Sequence, residues 1–151
     1  MNRSAARLEE VPVSQTGRAD IIRGAPYFPV GDVSAIGAYY RDVLGFECEY
    51  STGSPPEFAV YSRSGVPLMF RRVPQPDLIS PNERQGGTWD VFFWVNDVEA
   101  LHEELERKGA TVVYQPVVQP YGMKEFAVRD PNGYVLGFGQ TWPSSAHKGA
   151  S

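Results

Sequence analysis

Few side chains in this sequence are of a kind that does chemistry. There is one cysteine, Cys48, and there are two histidines, His102 and His147. A single cysteine closes no intramolecular disulfide and builds no thiolate metal cluster, and here it is expected as a small buried hydrophobe rather than a reactive thiol. His102 is expected on the wet face of a helix and His147 near the end of the chain, both solvated. A glycine-flanked nucleophilic serine, a phosphate-cradling loop, a dinucleotide-binding glycine pattern after a strand and a Cys–His pair at workable spacing are all missing. What remains is a set of carboxylates in or near β-like stretches: Glu57, Asp90 and Glu125. Glu125 stands beside Lys124 and close to Arg129, and is expected to be a paired carboxylate. Asp90 stands in an apolar run, Trp89 to Val95, where a carboxylate is a candidate general base for metal-free acid–base chemistry.

A scaffold must position these groups, and the apolar pattern outlines it. With 151 residues, 42% hydrophobic and 21% charged, the chain has the size and composition of one globular domain. Residues 1–20 and 143–151 are polar and expected to be tails, leaving a body over about 21–142. The N-terminal residues lack the apolar core of a signal peptide and no run approaches a membrane span, so the default expectation is cytoplasmic. A net charge of −4 with no Lys/Arg cluster removes nucleic acid and anionic membranes as expected partners. Aromatic residues, 13% of the chain, suit either an aromatic-lined cavity or an aromatic-rich core.

The body divides into two similar halves, about 21–73 and 88–142. Each opens with a short β-like run, Pro26 to Val30 and Trp89 to Val95, and each run ends at an aspartate placed to cap a helix, Asp32 and Asp97. Val33, Ile36, Tyr40, Val43 and Leu44 then form one apolar stripe, and Val98, Leu101 and Leu105 another. Gly45 and Gly109 stand where a left-handed helix end is needed. Superposing Asp32 on Asp97 also superposes Val30 on Val95, Val33 on Val98 and Ala35 on Ala100, a weak internal repeat. Short strands follow, about 47–50, 57–61 and 68–72, then 111–113, 125–129 and 134–139. Arg63-Ser64-Gly65 and Asp130-Pro131-Asn132-Gly133 supply turns. Residues 74–87, rich in Pro, Gln, Asn and Gly, form a linker that could act as a lid. The fold class is α+β, two βαβββ modules.

Val30-Gly31-Asp32, the run Tyr39 to Phe46, Val95-Asn96-Asp97-Val98 and Asp130-Pro131-Asn132-Gly133-Tyr134 strongly resemble the vicinal oxygen chelate superfamily. This group includes glyoxalase I, bleomycin resistance proteins, epimerases and extradiol dioxygenases. The resemblance covers nearly the whole body and implies a half-open barrel of two modules around a cavity. In metal-dependent members one ligand, usually His, Gln or Glu, lies on each of four strands. Carried over position by position, those places hold Ala25, Met69, Asp90 and Gly137 here. Only Asp90 offers a donor suited to zinc, nickel or iron, and such sites need at least three protein ligands. The expectation is therefore no metal and no other cofactor.

With Asp90 taken as inward-facing, strand alternation turns Phe92 and Trp94 inward and Val91 and Phe93 toward the helix layer. The same parity turns Tyr27, Met69 and Arg71 inward. Tyr121 and Met123 come from the segment that in this superfamily edges the pocket mouth, although Tyr121-Gly122 serves equally as a structural turn. The expected ligand contacts are thus Tyr27, Met69, Arg71, Asp90, Phe92, Trp94, Tyr121 and Met123. Asp90 and Arg71 could hold charged groups of a ligand or pair with each other. The leading expectation is a metal-free binder of an aromatic or amphipathic small molecule, nearest in character to bleomycin resistance proteins and homodimeric like them. The alternatives are a lyase, isomerase or dioxygenase working at Asp90, through an unusual metal site or metal-free acid–base catalysis, and an accessory module that binds another protein.

Overall fold

In the computed structural model of the protein, residues 12–13, 15 and 17–143 are described. They divide into two compact units. The first comprises residues up to Arg41 and Gly45–Pro76, and the second Asp42–Leu44 and the residues from Asp77 onward. His147 and most of the two expected tails lie outside the described residues.

The first unit runs β1 (Tyr27–Val30), α1 (Val33–Asp42), β2 (Glu47–Thr52), β3 (Phe58–Arg63) and β4 (Val66–Arg72). Its sheet has the order β1-β4-β3-β2, with β1 parallel to β4 and the other pairs antiparallel. The second unit repeats this plan with β5 (Val91–Trp94), α2 (Val98–Arg107), β6 (Thr111–Gln119), β7 (Met123–Arg129) and β8 (Val135–Thr141), in the order β5-β8-β7-β6. The α+β class and the two βαβββ modules are therefore as the spacing of apolar runs and turns implied. Between them lie two short 3-10 turns, Pro76–Leu78 and Asn82–Gln85.

The helix starts follow the aspartates. The Ala35 amide donates to Asp32 Oδ1 at 2.9 Å and the Ala100 amide to Asp97 Oδ1 at 3.0 Å, each satisfying one otherwise orphaned donor of a first turn. After the helices Gly45 (φ 75°) and Gly109 (φ 93°) take the left-handed conformation that only glycine adopts without strain. Asp130 closes the turn into β8, accepting from the amides of Asn132 at 2.8 Å and Tyr134 at 3.0 Å.

Each sheet buries one face under its helix. In the first unit Phe28, Tyr40, Tyr61 and Phe70 meet there, with ring centroids of Tyr40 and Phe70 4.9 Å apart. In the second, Phe93, Phe138 and Phe126 stack at 5.4 and 5.3 Å. Burial of each such ring is worth about 1.5–3 kcal/mol.

Four expectations differ from what forms. His102 is buried, not wet, and its ring packs edge-on against Phe126 at 5.2 Å. The stripe of α2 is centred on Val98, His102 and Leu105, leaving Leu101 half-buried. Cys48 is exposed, because β2 is an edge strand whose residues largely face solvent. Finally, β6 continues to Gln119 instead of ending at Val113. Pro116 does not stop it, since the ladder shifts register between Tyr114 and Val117, and an edge-strand bulge tolerates a residue with no amide to donate.

Candidate functional site

The second sheet's other face carries the most chemistry. Glu125 lies on β7 between Lys124 and Phe126 and is completely buried. Alternation turns Lys124 to the opposite face, where it pairs with Glu99 and stands 4.5 Å from the centre of the Trp142 ring, while Arg129, four residues farther along the strand, pairs with Glu83. Both are paired elsewhere, so the expected ion pair with Glu125 does not form. Instead the carboxylate accepts two phenolic hydroxyls, from Tyr114 on β6 at 2.9 Å and from Tyr121 in the β6–β7 turn. Trp89 extends the chain, its indole N–H donating to the Tyr114 oxygen at 2.8 Å.

These four residues border a cavity of about 480 Å³, with Thr88, Val117 and Gln119 completing its lining. That volume lies within the range of small-molecule pockets. The floor is polar and the sides are aromatic. Burial pushes the Tyr114 phenol well above its ordinary range, and the Glu125 bond adds to this against the opposing Trp89 bond. Tyr121 is pushed up to about 12, chiefly by its hydrogen bond to Glu125. Both therefore remain hydrogen-bond donors at neutral pH.

Two glycines of β8 make room on this face. A Cβ on Gly137 would lie 2.5 Å from the Trp89 ring and 2.8 Å from Phe92. A Cβ on Gly139 would lie 2.7 Å from Phe92 and 3.1 Å from both Glu125 and Met123. The rings of Trp89 and Phe92 meet at 4.7 Å, and those of Phe92 and Trp94 at 5.2 Å.

Of the eight expected contact residues, Tyr121 lines this cavity, and Phe92 and Met123 stand beside Glu125 around Gly139. Trp94 is 75% exposed at the end of β5. Asp90 precedes β5, and both of its oxygens are taken by backbone amides: Oδ1 by Asn82 and Oδ2 by Val135, each at 2.8 Å. Its carboxylate thus ties the segment before β5 to the start of β8. Tyr27, Met69 and Arg71 belong to the first unit. There Tyr27 hydrogen-bonds Arg71, whose guanidinium lies 5.5 Å from the centre of the Phe58 ring. Tyr27 and Met69 are opposite one another in the ladder.

Glu125, Tyr114 and Trp89 escaped sequence reasoning for identifiable reasons. Met123 was expected at the pocket, and the two-residue period puts Glu125 on the same face, a signal hidden by its charged neighbours. Tyr114 lay beyond the expected end of β6. Trp89 has the parity opposite to Phe92, yet contacts it, because the strand begins only at Val91.

A model of the glyoxalase/bleomycin resistance protein/dioxygenase superfamily matches residues 23–138. The chain belongs to this superfamily. Among solved structures resembling it is a bleomycin-binding protein from bleomycin-producing Streptomyces verticillus, complexed with copper(II)-bleomycin. The two are 27% identical, with a TM-score of 0.62 over 80% of this chain and 97% of that one. TnmS3, an antibiotic binding protein from Streptomyces sp. CB03234, is 22% identical with a TM-score of 0.63, over 82% and 98% of the two chains. A bleomycin resistance determinant encoded on transposon Tn5 is 19% identical with a TM-score of 0.64, over 81% and 99%. No curated protein matches. At the level of the superfamily, these findings support small-molecule binding.

Metal-dependent members of the superfamily are expected to ligate at the positions of Ala25, Met69, Asp90 and Gly137, and these residues do not fit a metal. Asp90 already serves two amides, and the space a side chain at 137 would need is filled by Trp89 and Phe92. Among the described residues no group of three or more His, Cys, Asp or Glu is arranged to hold an ion.

Proposed function

We propose that this protein binds a small aromatic or amphipathic molecule, without a metal, in the cavity of its second unit. The observation that carries this reading is the 480 Å³ cavity itself, walled by Trp89 and Tyr121 and floored by the Glu125–Tyr114 pair. Aromatic walls supply apolar contact, and a few fixed polar groups orient a ligand. Related folds described as bleomycin-binding and antibiotic-binding support the same class of activity. Phe92 and Met123 are part of the proposed contact surface, and Tyr27 and Arg71 offer a second aromatic and cationic patch on the first unit. The reading includes a cytoplasmic homodimer. No described helix is long and apolar enough to cross a membrane.

Calorimetric titration with three naphthalene probes tests it: neutral 2-naphthylmethanol, cationic 2-naphthylmethylammonium and anionic 2-naphthoate. Saturable binding of at least one probe is expected, and Val117→Trp, which fills the cavity, should abolish it while the circular dichroism spectrum is retained. No binding of any probe up to millimolar concentration would overturn the proposal.

A further inference from the structure

We infer that the cavity is built for an organic cation, a protonated amine on a flat or aromatic body, with Glu125 as its counter-ion. This rests on the reading of the second-unit cavity as a ligand site.

The first ground is charge. Glu125 is 0% exposed, and its partners are two neutral phenols. A carboxylate accepts at about four positions, so acceptor capacity is left over. The nearby cations are engaged elsewhere, Lys124 with Glu99 on the opposite face and Arg129, at the far end of β7, with Glu83. Neither phenol carries positive charge, and both keep the proton that they donate to the carboxylate, Tyr114 while accepting from Trp89. A buried carboxylate without a cationic partner is costly. The missing element of the site is a positive group.

The second ground is the surroundings. Trp89, Tyr114 and Tyr121 border the same cavity, and the faces of such rings attract cations, most strongly away from water. An anionic ligand would meet the carboxylate and the negative faces of these rings together.

The third ground is an internal control. In the ladder of the first unit Phe58 lies opposite Arg71, as Glu125 lies opposite Gly139 in the second. At this place the βαβββ module is built equally well around an apolar ring, so the scaffold does not require a carboxylate. The first unit also carries its own cation at the facing position, where the second has no side chain. The second unit thus has an acid where the first has a ring, and no base facing it.

The same three probes test the inference. Wild-type protein should bind 2-naphthylmethylammonium about tenfold or more tighter than 2-naphthylmethanol, as expected for a charge-assisted over a neutral hydrogen bond. Its affinity for 2-naphthoate should be the lowest. Glu125→Gln, which preserves shape, should erase the preference for the ammonium. Equal binding of the neutral and cationic probes would overturn the cation while leaving the cavity reading intact. Failure of all three to bind would overturn both. A preference that survives in folded Glu125→Gln protein would overturn Glu125 as the counter-ion. Should Glu125→Gln fail to fold, Tyr121→Phe carries the test. It removes one hydroxyl from the carboxylate and must raise the ammonium-to-methanol affinity ratio; an unchanged or lowered ratio would overturn the inference.

Discussion

Tyr27, Tyr50, Phe58, Met69 and Arg71 of the first unit stand where Phe92, Tyr114, Glu125, Gly137 and Gly139 stand in the second, because the two ladders share their register. In the first unit this face is self-sufficient. Arg71 bonds the Tyr27 hydroxyl and covers the Phe58 ring, so its charge is served by a phenol, a π face and water. In the second unit two large positions have become glycines, rings from β5 and the segment before it lean into the space, and an acid takes the place of Phe58. The helix-facing side shows the reverse kind of exchange. Gly37 of α1 leaves room for Tyr61, whose hydroxyl would lie 2.2 Å from an added Cβ. In the Asp32-on-Asp97 register its counterpart is His102, and the strand positions of Ala59 and Tyr61 are taken by Phe126 and Val128. Bulk moves between helix and strand while the layer stays filled. One backbone plan therefore tolerates different fillings provided volume and polar satisfaction are kept locally.

Exchanging residues between the units tests this, beginning with the largest effect. Gly37→His should cost about 4 kcal/mol or more, because the imidazole has nowhere to go beside Tyr61. Adding Tyr61→Val should recover a large part of that, as the second unit's own pairing predicts; urea unfolding of the single and double variants measures it. No recovery would show that the helix-facing exchanges are independent of one another. Gly137→Met transplants the first unit's residue and should cost about 3 kcal/mol through collision with Trp89 and Phe92. The reverse change, Met69→Gly, should cost about 1–2 kcal/mol, since it removes only a half-buried side chain and adds backbone freedom. Equal losses would mean that the glycine is not what shapes this face.

Asp90→Asn should cost about 2 kcal/mol, since one charged acceptor facing two amides is replaced by a group that presents an N–H to one of them. Ala25, its counterpart, has no such side chain, so Ala25→Asn should change stability by less than about 0.5 kcal/mol. A smaller and purely functional effect at Asp90 would restore it as a candidate base. The smallest effect is on pH dependence. In the folded protein Tyr121 and Tyr134 are raised to about 12, and Tyr114 well above the ordinary phenol range, against about 10 for an unfolded phenol. The folded state holds these protons more tightly. Their contribution is complete below about pH 10 and is lost as pH rises through 12. Melting temperature should fall across that interval, less steeply in Tyr114→Phe, and a slope unchanged by that substitution would place the effect elsewhere.

Much of the scaffold was legible in one dimension because it depends on local chemistry. Asp32 and Asp97 cap the helices they precede, Gly45 and Gly109 supply left-handed ends, and Asp130-Pro131-Asn132-Gly133 forms its turn, all through contacts within a few residues. The two-residue strand period likewise separates Phe92 from Phe93. Residues whose role depends on a distant partner were harder to place. Glu125 looks ion-paired beside Lys124 and Arg129, yet pleating turns Lys124 to the opposite face, Arg129 pairs with Glu83, and Glu125 meets two tyrosines. His102 looks solvated in a polar helix until Phe126 supplies a ring to lie against. Trp89 reaches Phe92 only because the strand begins two residues later. Sequence alone determined the order of elements, their helix caps and most of their apolar faces, since these follow from backbone preferences and periodicity. The tertiary structure decided which carboxylate is buried and which residues surround it, because burial is set by side chains that meet across the sheet rather than along the chain.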